Sequence, residues 1–255
     1  MIFHKYQGAG NDFIIIDNRN HIFEASNNEL VKKMCNRRTG IGADGLLLLE
    51  NHKNYDFVMR YFNADGYEVD MCGNGARCIV KFARSIGIID SKAKFLAGDG
   101  IHEAIIEDKL INLKMKNVEN IIIENDYYLI NTGVPHYVCF RKNINDIDVY
   151  SEGKKIRYSD KFTKEGINVN FVNIGKNALL LRTYERGVED ETLACGTGIV
   201  ASAIIASIHT KSTNNKYTVL VKGGILEVSF SKKTEDQFEN IWLRGPANMV
   251  YKGEY

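Results

Sequence analysis

The chain has 255 residues, 44% hydrophobic and 25% charged, a balance that fits a soluble globular protein of one large domain or two smaller ones and excludes a disordered polymer. Its 33 basic and 32 acidic side chains nearly cancel, so no net field draws it to nucleic acid or to a membrane surface. Five scattered cysteines, an odd number with no CxxC pair, argue against a disulfide scaffold or a zinc site and for reduced thiols.

The first residues, MIFHKYQGAGNDF, carry charge and a glycine turn where a signal peptide needs an apolar core, so the expected location is the cytoplasm. Short apolar or alternating runs bounded by turn residues predict strands at 13–16, 46–49, 55–62, 101–106 and 110–115. Further strands are predicted at 127–130, 168–174, 178–184, 217–221, 225–230 and 241–243, with a hairpin at Gly223-Gly224. Helical patterns are fewer. Residues 28–36 are amphipathic, and the segment after Cys72 sets Ile79, Val80, Ala83 and Ile86 on one face with Gly87 at its end. The segment after Cys195 is apolar or small all round, the mark of a helix buried on every side. Its apolar stretch, 192–208, falls short of the roughly 20 residues a membrane span needs.

Each half thus holds many strands and one major helix begun by glycine. The architecture expected is α+β with an internal duplication: two pseudo-symmetric domains, each with strands wrapped around a central helix. The spacing of the two cysteine motifs sets the boundary near 116–120, giving halves 1–117 and 118–247.

The motifs MCGNGARC (71–78) and ACGTGIVA (194–201) place a cysteine just before a helix. The first N–H groups of a helix lack intrahelical partners and carry partial positive charge, which lowers a thiol pKa and also makes a seat for an anion. A lone cysteine near a helix start is usually a small buried residue, and Cys35, Cys78 and Cys139 are read that way. The repeat is what lifts Cys72 and Cys195 above that reading. Two matched acid/base groups facing one ligand suit inversion of a carbon stereocentre. One thiolate takes the proton from one face, a thiol gives a proton to the other, and helix amides steady the enediolate-like carboxylate. This chemistry needs no electron-sink cofactor.

At the level of whole motifs the chain resembles the diaminopimelate epimerase family of cofactor-independent two-cysteine racemases. The likeness covers KYQGAGNDF (5–13), TGIGADG (39–45), FNADGYEVDMCGNGARC (62–78), GVPH (133–136), NVNFV (168–172), ERGVEDETLACGTG (185–198), GG (223–224) and GPA (245–247). It implies a two-domain fold with residues 248–255 returning to the first half, and an active site in the cleft between the halves. It also implies an isomerase interconverting LL- and meso-diaminopimelate for lysine and peptidoglycan precursor synthesis, without pyridoxal phosphate, metal or other cofactor, in a homodimer. Carried over residue by residue, Cys72 and Cys195 are the acid/base pair, assisted by His136 and Glu185. Gly73, Asn74, Gly196 and Thr197 bring backbone amides to the reacting carboxylate, and Glu185 also meets the reacting ammonium. Asn11, Asn63 and Asn168 bind substrate, and Arg186 meets the distal carboxylate, a bidentate role that suits guanidinium.

Without the resemblance, Asn11 and Asn63 read as turn formers, His136 as a satisfied histidine, and Glu185-Arg186 as a solvated ion pair. The chain departs from the family in having Val134 before Pro135-His136, Gly45 where some members have glutamine, and a longer loop at 187–194. All three bear on the distal end of the ligand and none on proton transfer. Gly40-x-Gly42-x-x-Gly45 matches a dinucleotide fingerprint only as a string, because a strand and not a helix is predicted after it. The competing readings are a proline or hydroxyproline racemase and, from another class, a redox protein that joins Cys72 and Cys195 reversibly.

Overall fold

Apolar runs too short to show a period do not by themselves distinguish strand from buried helix. In the computed structural model, which describes every residue from Met1 to Tyr255, the runs around Ile15 and Leu47 are strands buried on both faces. Contacts divide the chain into two compact units, Met1–Leu113 with Gly245–Tyr255, and Lys114–Arg244.

The first unit runs β1 (Ile2–Gly8), β2 (Asn11–Asp17), α1 (Asn28–Cys35), β3 (Gly45–Glu50), β4 (Val58–Asn63), β5 (Glu68–Val69), α2 (Gly73–Ser85), β6 (Lys92–Ala97), β7 (Gly100–Glu107) and β8 (Leu110–Lys114). The pairs β1–β2, β3–β4, β4–β5, β6–β7 and β7–β8 are antiparallel, while β2–β3 and β4–β6 are parallel and are joined across α1 and α2. Strand alternation then divides the apolar residues between two helices. Ile14, Ile16, Leu46 and Leu48 pack with Val31 and Met34 of α1. Leu47 and Met59 lie on the α2 side, against Gly75. Burial on both faces explains why β2 and β3 lack a polar alternate.

The second unit repeats this order: β9 (Ile122–Ile123), β10 (Tyr128–Asn131), β11 (Pro135–Phe140), α3 (Val149–Arg157), β12 (Asn168–Ile174), β13 (Leu179–Glu185), β14 (Asp190–Thr192), α4 (Gly196–His209), β15 (Lys216–Val221), β16 (Gly224–Lys232) and β17 (Phe238–Pro246). Here β10–β11, β12–β13, β13–β14, β15–β16 and β16–β17 are antiparallel, and β11–β12 and β13–β15 are parallel. Helix for helix and pair for pair, β10 to β17 follow the pattern of β1 to β8. The last strand, β18 (Asn248–Glu254), pairs antiparallel with β1 in the first unit. Helix α2 touches β1 to β4, β7 and β18, and α4 touches β10 to β13, β15 and β16, so each unit holds one helix among strands. Residues 198–207 of α4 are buried throughout, as an all-apolar helix requires.

The predicted strands and helices all occur, with ends shifted by up to three residues. The hairpin at Gly223-Gly224 closes with Val221 opposite Gly224, and a strand follows Gly45, so no dinucleotide turn forms. Several elements escape the sequence pattern. Strand β1 buries Phe3, Lys5 and Tyr6, and the buried ammonium of Lys5 is paired with Asp12 at 2.8 Å. Helix α3 carries Gly153 and only two fully buried residues, and is started by Asp148, whose carboxylate accepts from Ser151 N at 3.1 Å. Gly153 is there for packing: a Cβ at that site would lie 2.4 Å from Tyr184 Cβ. No helix is long and apolar enough to cross a membrane.

Candidate active site

The two cysteine turns have the same local geometry. Cys72 is the N-cap of α2 with φ −132° and ψ 121°, and Cys195 is the N-cap of α4 with φ −111° and ψ 109°. The first bond of each helical ladder runs from Ala76 N to Cys72 O (2.7 Å) and from Ile199 N to Cys195 O (2.9 Å). The amides of Gly73, Asn74 and Gly75, and of Gly196, Thr197 and Gly198, therefore precede the ladder, where a helix end favours an anion. All five cysteines are free thiols. Cys35, Cys78 and Cys139 are buried, and burial raises their pKa values, to about 12 for Cys35 and about 11 for Cys139. Such thiols stay protonated and inert.

In the first unit, side-chain hydrogen bonds tie the start of α2 to β2. Asn74 Nδ2 donates to Asn11 Oδ1, and Asn11 Nδ2 donates to Asp44 Oδ2 at 3.0 Å. Arg37 bridges Asp44 and Asp12, and with Lys5 holds the Asp12 carboxyl at about 2 against the upward push of burial. Arg77 is fully buried one turn into α2, donating to Asn74 Oδ1 at 2.7 Å and to Gly73 O at 3.3 Å. Asn63 ends β4, and its main chain closes a turn in which Gly66 N donates to Asn63 O at 2.9 Å. The sequence reading of both asparagines as turn formers fits Asn63 but not Asn11, which begins a strand.

In the second unit, strand register gathers residues far apart in sequence. His136 lies opposite Asn168 in the parallel pair β11–β12, and Val169 opposite Tyr184 sets Asn168 beside Glu185 at the end of β13. Asn168 Oδ1 accepts from Arg186 N at 2.8 Å. Glu185 is not the solvated partner of Arg186 that sequence alone suggested. Its Oε2 accepts from Thr192 Oγ1 at 2.8 Å. Burial pushes the Glu185 pKa up, with hydrogen bonds from Thr192 and the Cys195 thiol pulling the other way. Cys195 is 5% exposed, its Sγ 3.5 Å from Thr197 Oγ1. Arg186 donates to Glu165 O at 2.9 Å and runs past Gly166, where a φ of +74° strains any side chain and an added Cβ would lie 2.5 Å from Arg186 Cδ and 2.8 Å from Arg157 Cζ.

His136 is wholly buried, and its pKa falls to about 3, first through burial and then through the charge of Arg186. It is neutral at neutral pH. Its Nδ1 meets Asn170 Nδ2 at 3.0 Å, and Asn170 Oδ1 accepts from Thr183 Oγ1 at 3.0 Å. Sequence reading passed over Asn170 and Thr183. The available signal was an asparagine two residues after Asn168, on the same strand face, in an otherwise apolar run.

The departures also have physical settings. Gly45 is dictated by packing, since a Cβ there would lie 2.4 Å from Phe62 O and 2.6 Å from the Tyr61 ring. Val134 is half-buried, its carbonyl accepting from Thr132 N at 3.3 Å. The loop after Arg186 is pinned through Glu189, which bonds Tyr184 Oη and Gly187 N, and through Glu191, which bonds Arg182 and Lys222. The large surface grooves of the second unit, about 980 and 880 Å³, are lined around Tyr128 and His209 and contain none of these residues.

A sequence model of the family described as Diaminopimelate epimerase matches residues 3–119 and 128–250. A diaminopimelate epimerase of Flavobacterium psychrophilum is 52% identical over 254 residues, covering 99% of each chain. One of Chlorobaculum tepidum is 43% identical over 262 residues, covering 96% of this chain and 98% of its own. Among solved structures, a PhzF-family phenazine biosynthesis protein of Bacillus anthracis aligns with a TM-score of 0.77 at 16% identity, covering 100% of this chain and 98% of that one. A probable proline racemase of Agrobacterium radiobacter aligns with a TM-score of 0.67 at 12% identity, covering 100% and 92%. At those identities the two structures speak for a shared fold alone.

Proposed function

The chain belongs to the diaminopimelate epimerase family, and from that premise we propose that it interconverts LL- and meso-diaminopimelate with Cys72 and Cys195 as the two proton-transferring groups. The observation that carries the reading is the paired N-cap geometry: two thiols in the same extended conformation, each opening the central helix of one repeat. Either thiolate removes the α-proton from one face of the carbon, and the other cysteine, as a thiol, delivers a proton to the opposite face. The S–H bond formed on one sulfur balances the S–H bond broken on the other, so the pair ends with its protonation exchanged. Running the sequence backwards uses the same atoms. The amides of Gly73-Asn74 and Gly196-Thr197 stabilise the charge that develops on the adjacent carboxylate.

In this reading Glu185 and His136 assist the thiols, Glu185 also meets the reacting ammonium, and Asn11, Asn63 and Asn168 hold polar groups of the substrate. The hydrogen bond between Glu185 and the Cys195 thiol supports the first assignment. Arg186 meets the distal carboxylate, a role supported by its bond to Glu165 O, which leaves the other guanidinium nitrogens for a ligand. The reaction needs no cofactor, because the thiolate base and the helix amides supply what an electron sink otherwise would. The reading places the enzyme in the cytoplasm as a homodimer, which a molar mass from light scattering tests.

LL-diaminopimelate incubated with the enzyme and reductant in heavy water should gain deuterium at one α-carbon with no added cofactor. Absence of exchange, or equal exchange with proline, removes the assignment. Cys72→Ala and Cys195→Ala should each cut epimerisation by at least about 10²-fold, the lower end of general acid–base contributions.

A further inference from the structure

Asn170 sits fully buried in the middle of β12, on the face toward α4. Its amide group is held on all sides. Nδ2 lies 3.0 Å from Tyr137 O, 3.0 Å from His136 Nδ1 and 3.5 Å from Asn168 O, while Oδ1 lies 3.0 Å from Thr183 Oγ1. Tyr137 O and Asn168 O only accept, so the amide nitrogen must face them. The same nitrogen faces His136 Nδ1, which must therefore be the acceptor in that bond. A neutral imidazole that accepts at Nδ1 carries its proton on Nε2. That Nε2 is buried and has no hydrogen-bond partner in the protein. Buried donors left without a partner are rare in folded proteins and call for an explanation.

We infer that Asn170, itself oriented by Thr183, is a positioning residue that locks His136 in the Nε2–H tautomer, so that His136 acts as a neutral hydrogen-bond donor to an acceptor that arrives with the substrate. The inference rests on the proposed epimerase reading for the identity of that substrate. It changes the role of His136: with the Nδ1 lone pair engaged by the Asn170 amide and Nε2 protonated, the ring has no free lone pair turned to the substrate, and it polarises where a base would abstract. The same amide also sets the entry of α4. A Cβ on Gly198 would lie 2.5 Å from Asn170 Oδ1 and 3.4 Å from Cys195 Sγ, so Asn170 touches both His136 and the turn that carries Cys195. Glycine at position 198 follows from this contact.

Asn170→Asp tests the lock, because a carboxylate of the same shape accepts where the amide donated and should draw the imidazole proton to Nδ1. Long-range proton–nitrogen NMR of the full chain carrying ¹⁵N-histidine, with His136 assigned by its loss in His136→Gln, reads the tautomer directly. The wild-type ring should show a bare Nδ1, and Asn170→Asp should show a protonated one. Exchange of LL-diaminopimelate should fall by about 10²-fold in kcat with KM within a few-fold, the scale of a lost catalytic hydrogen bond. The double variant Asn170→Asp/His136→Gln should be no slower than His136→Gln alone, since aspartate keeps the Oδ1 wall against α4 and changes only the bond to His136. A wild-type ring protonated on Nδ1, a ring that keeps a bare Nδ1 in Asn170→Asp, a flipped ring with unchanged kcat, or additive losses in the double variant would each overturn the inference. Should Asn170→Asp fail to fold, the wild-type ring decides by itself, because a protonated Nδ1 there overturns the inference. A tautomer that flips as described in an enzyme that exchanges no α-proton would leave the lock standing and bring down the epimerase reading instead.

Discussion

Gly75 and Gly198 occupy the same place in the two repeats, three residues after Cys72 and Cys195, yet they face different surroundings. A Cβ added to Gly75 would meet Leu47 Cδ2 at 3.4 Å and Met59 Cε at 3.5 Å, ordinary van der Waals contact. One added to Gly198 would lie 2.5 Å from Asn170 Oδ1, so that contact must open by at least about 0.5 Å before it reaches 3.0 Å. Asn170 cannot yield cheaply, because His136, Tyr137 and Thr183 hold its amide from three sides. Neither glycine has a positive φ, so both gain the same helix propensity on becoming alanine, up to about 1 kcal/mol. For Gly75→Ala nothing opposes that gain, and urea denaturation should show a protein as stable as wild type or more stable by up to about 1 kcal/mol. For Gly198→Ala an overpacking cost of about 1–3 kcal/mol stands against it, leaving a loss of up to about 2 kcal/mol. The start of α4 must also shift, moving Cys195, so α-proton exchange should fall by about tenfold or more, since small misplacements of reacting groups are costly. Equal stability and equal exchange in the two variants would refute the argument that Asn170 is a fixed wall against α4.

Burial of neutral His136 lowers its folded pKa to about 3, so the unfolded chain binds the extra proton first and stability falls as pH drops from about 6.5 towards 3. Between pH 7 and pH 5 wild type should lose about 2 kcal/mol more than His136→Gln in urea midpoints, and parallel pH profiles would contradict a neutral buried ring. Glu185 acts with the opposite sign: its raised folded pKa favours the fold at low pH and costs stability as pH rises through that value, a contribution common to both proteins in that comparison. Gly166→Ala forces a side chain into a φ of +74° and against Arg186 Cδ and the Arg157 guanidinium, so KM for diaminopimelate should rise about tenfold or more with a smaller change in kcat. A fall in kcat alone would place Arg186 elsewhere in the reaction. Lys5→Met leaves Arg37 as the only charged partner of Asp12 in a site that is largely buried, and should cost about 3 kcal/mol by denaturation, the low end for breaking a buried pair. A neutral result would show that Arg37 alone compensates the carboxylate.

What could be read from the sequence was local. A cysteine followed by two spaced glycines and an apolar run specifies an extended N-cap and a helix wherever it falls, and both copies adopt it. The duplication was legible because the motif occurs twice, β2, β3 and β12 because their runs satisfy a strand buried on both faces, and β13 because its buried residues alternate. Helix α3 was not, since Gly153 and a mostly polar surface hide a face that is buried at only two positions. Strand β1 was not, because Lys5 reads as solvated until Asp12 is brought beside it.

The two cysteine turns, the glycine amides and the family motifs are thus properties of the sequence itself, fixed by backbone preferences within a few residues. The assembly around them belongs to the tertiary structure. His136, Asn168 and Glu185 become neighbours only through the register of β11, β12 and β13. The tautomer of His136 depends on an amide 34 residues away that is oriented by a threonine on the next strand. Hydrogen-bond direction and burial are set by which strand lies alongside which, and sheet pairing is a choice among distant segments that no short window of residues contains.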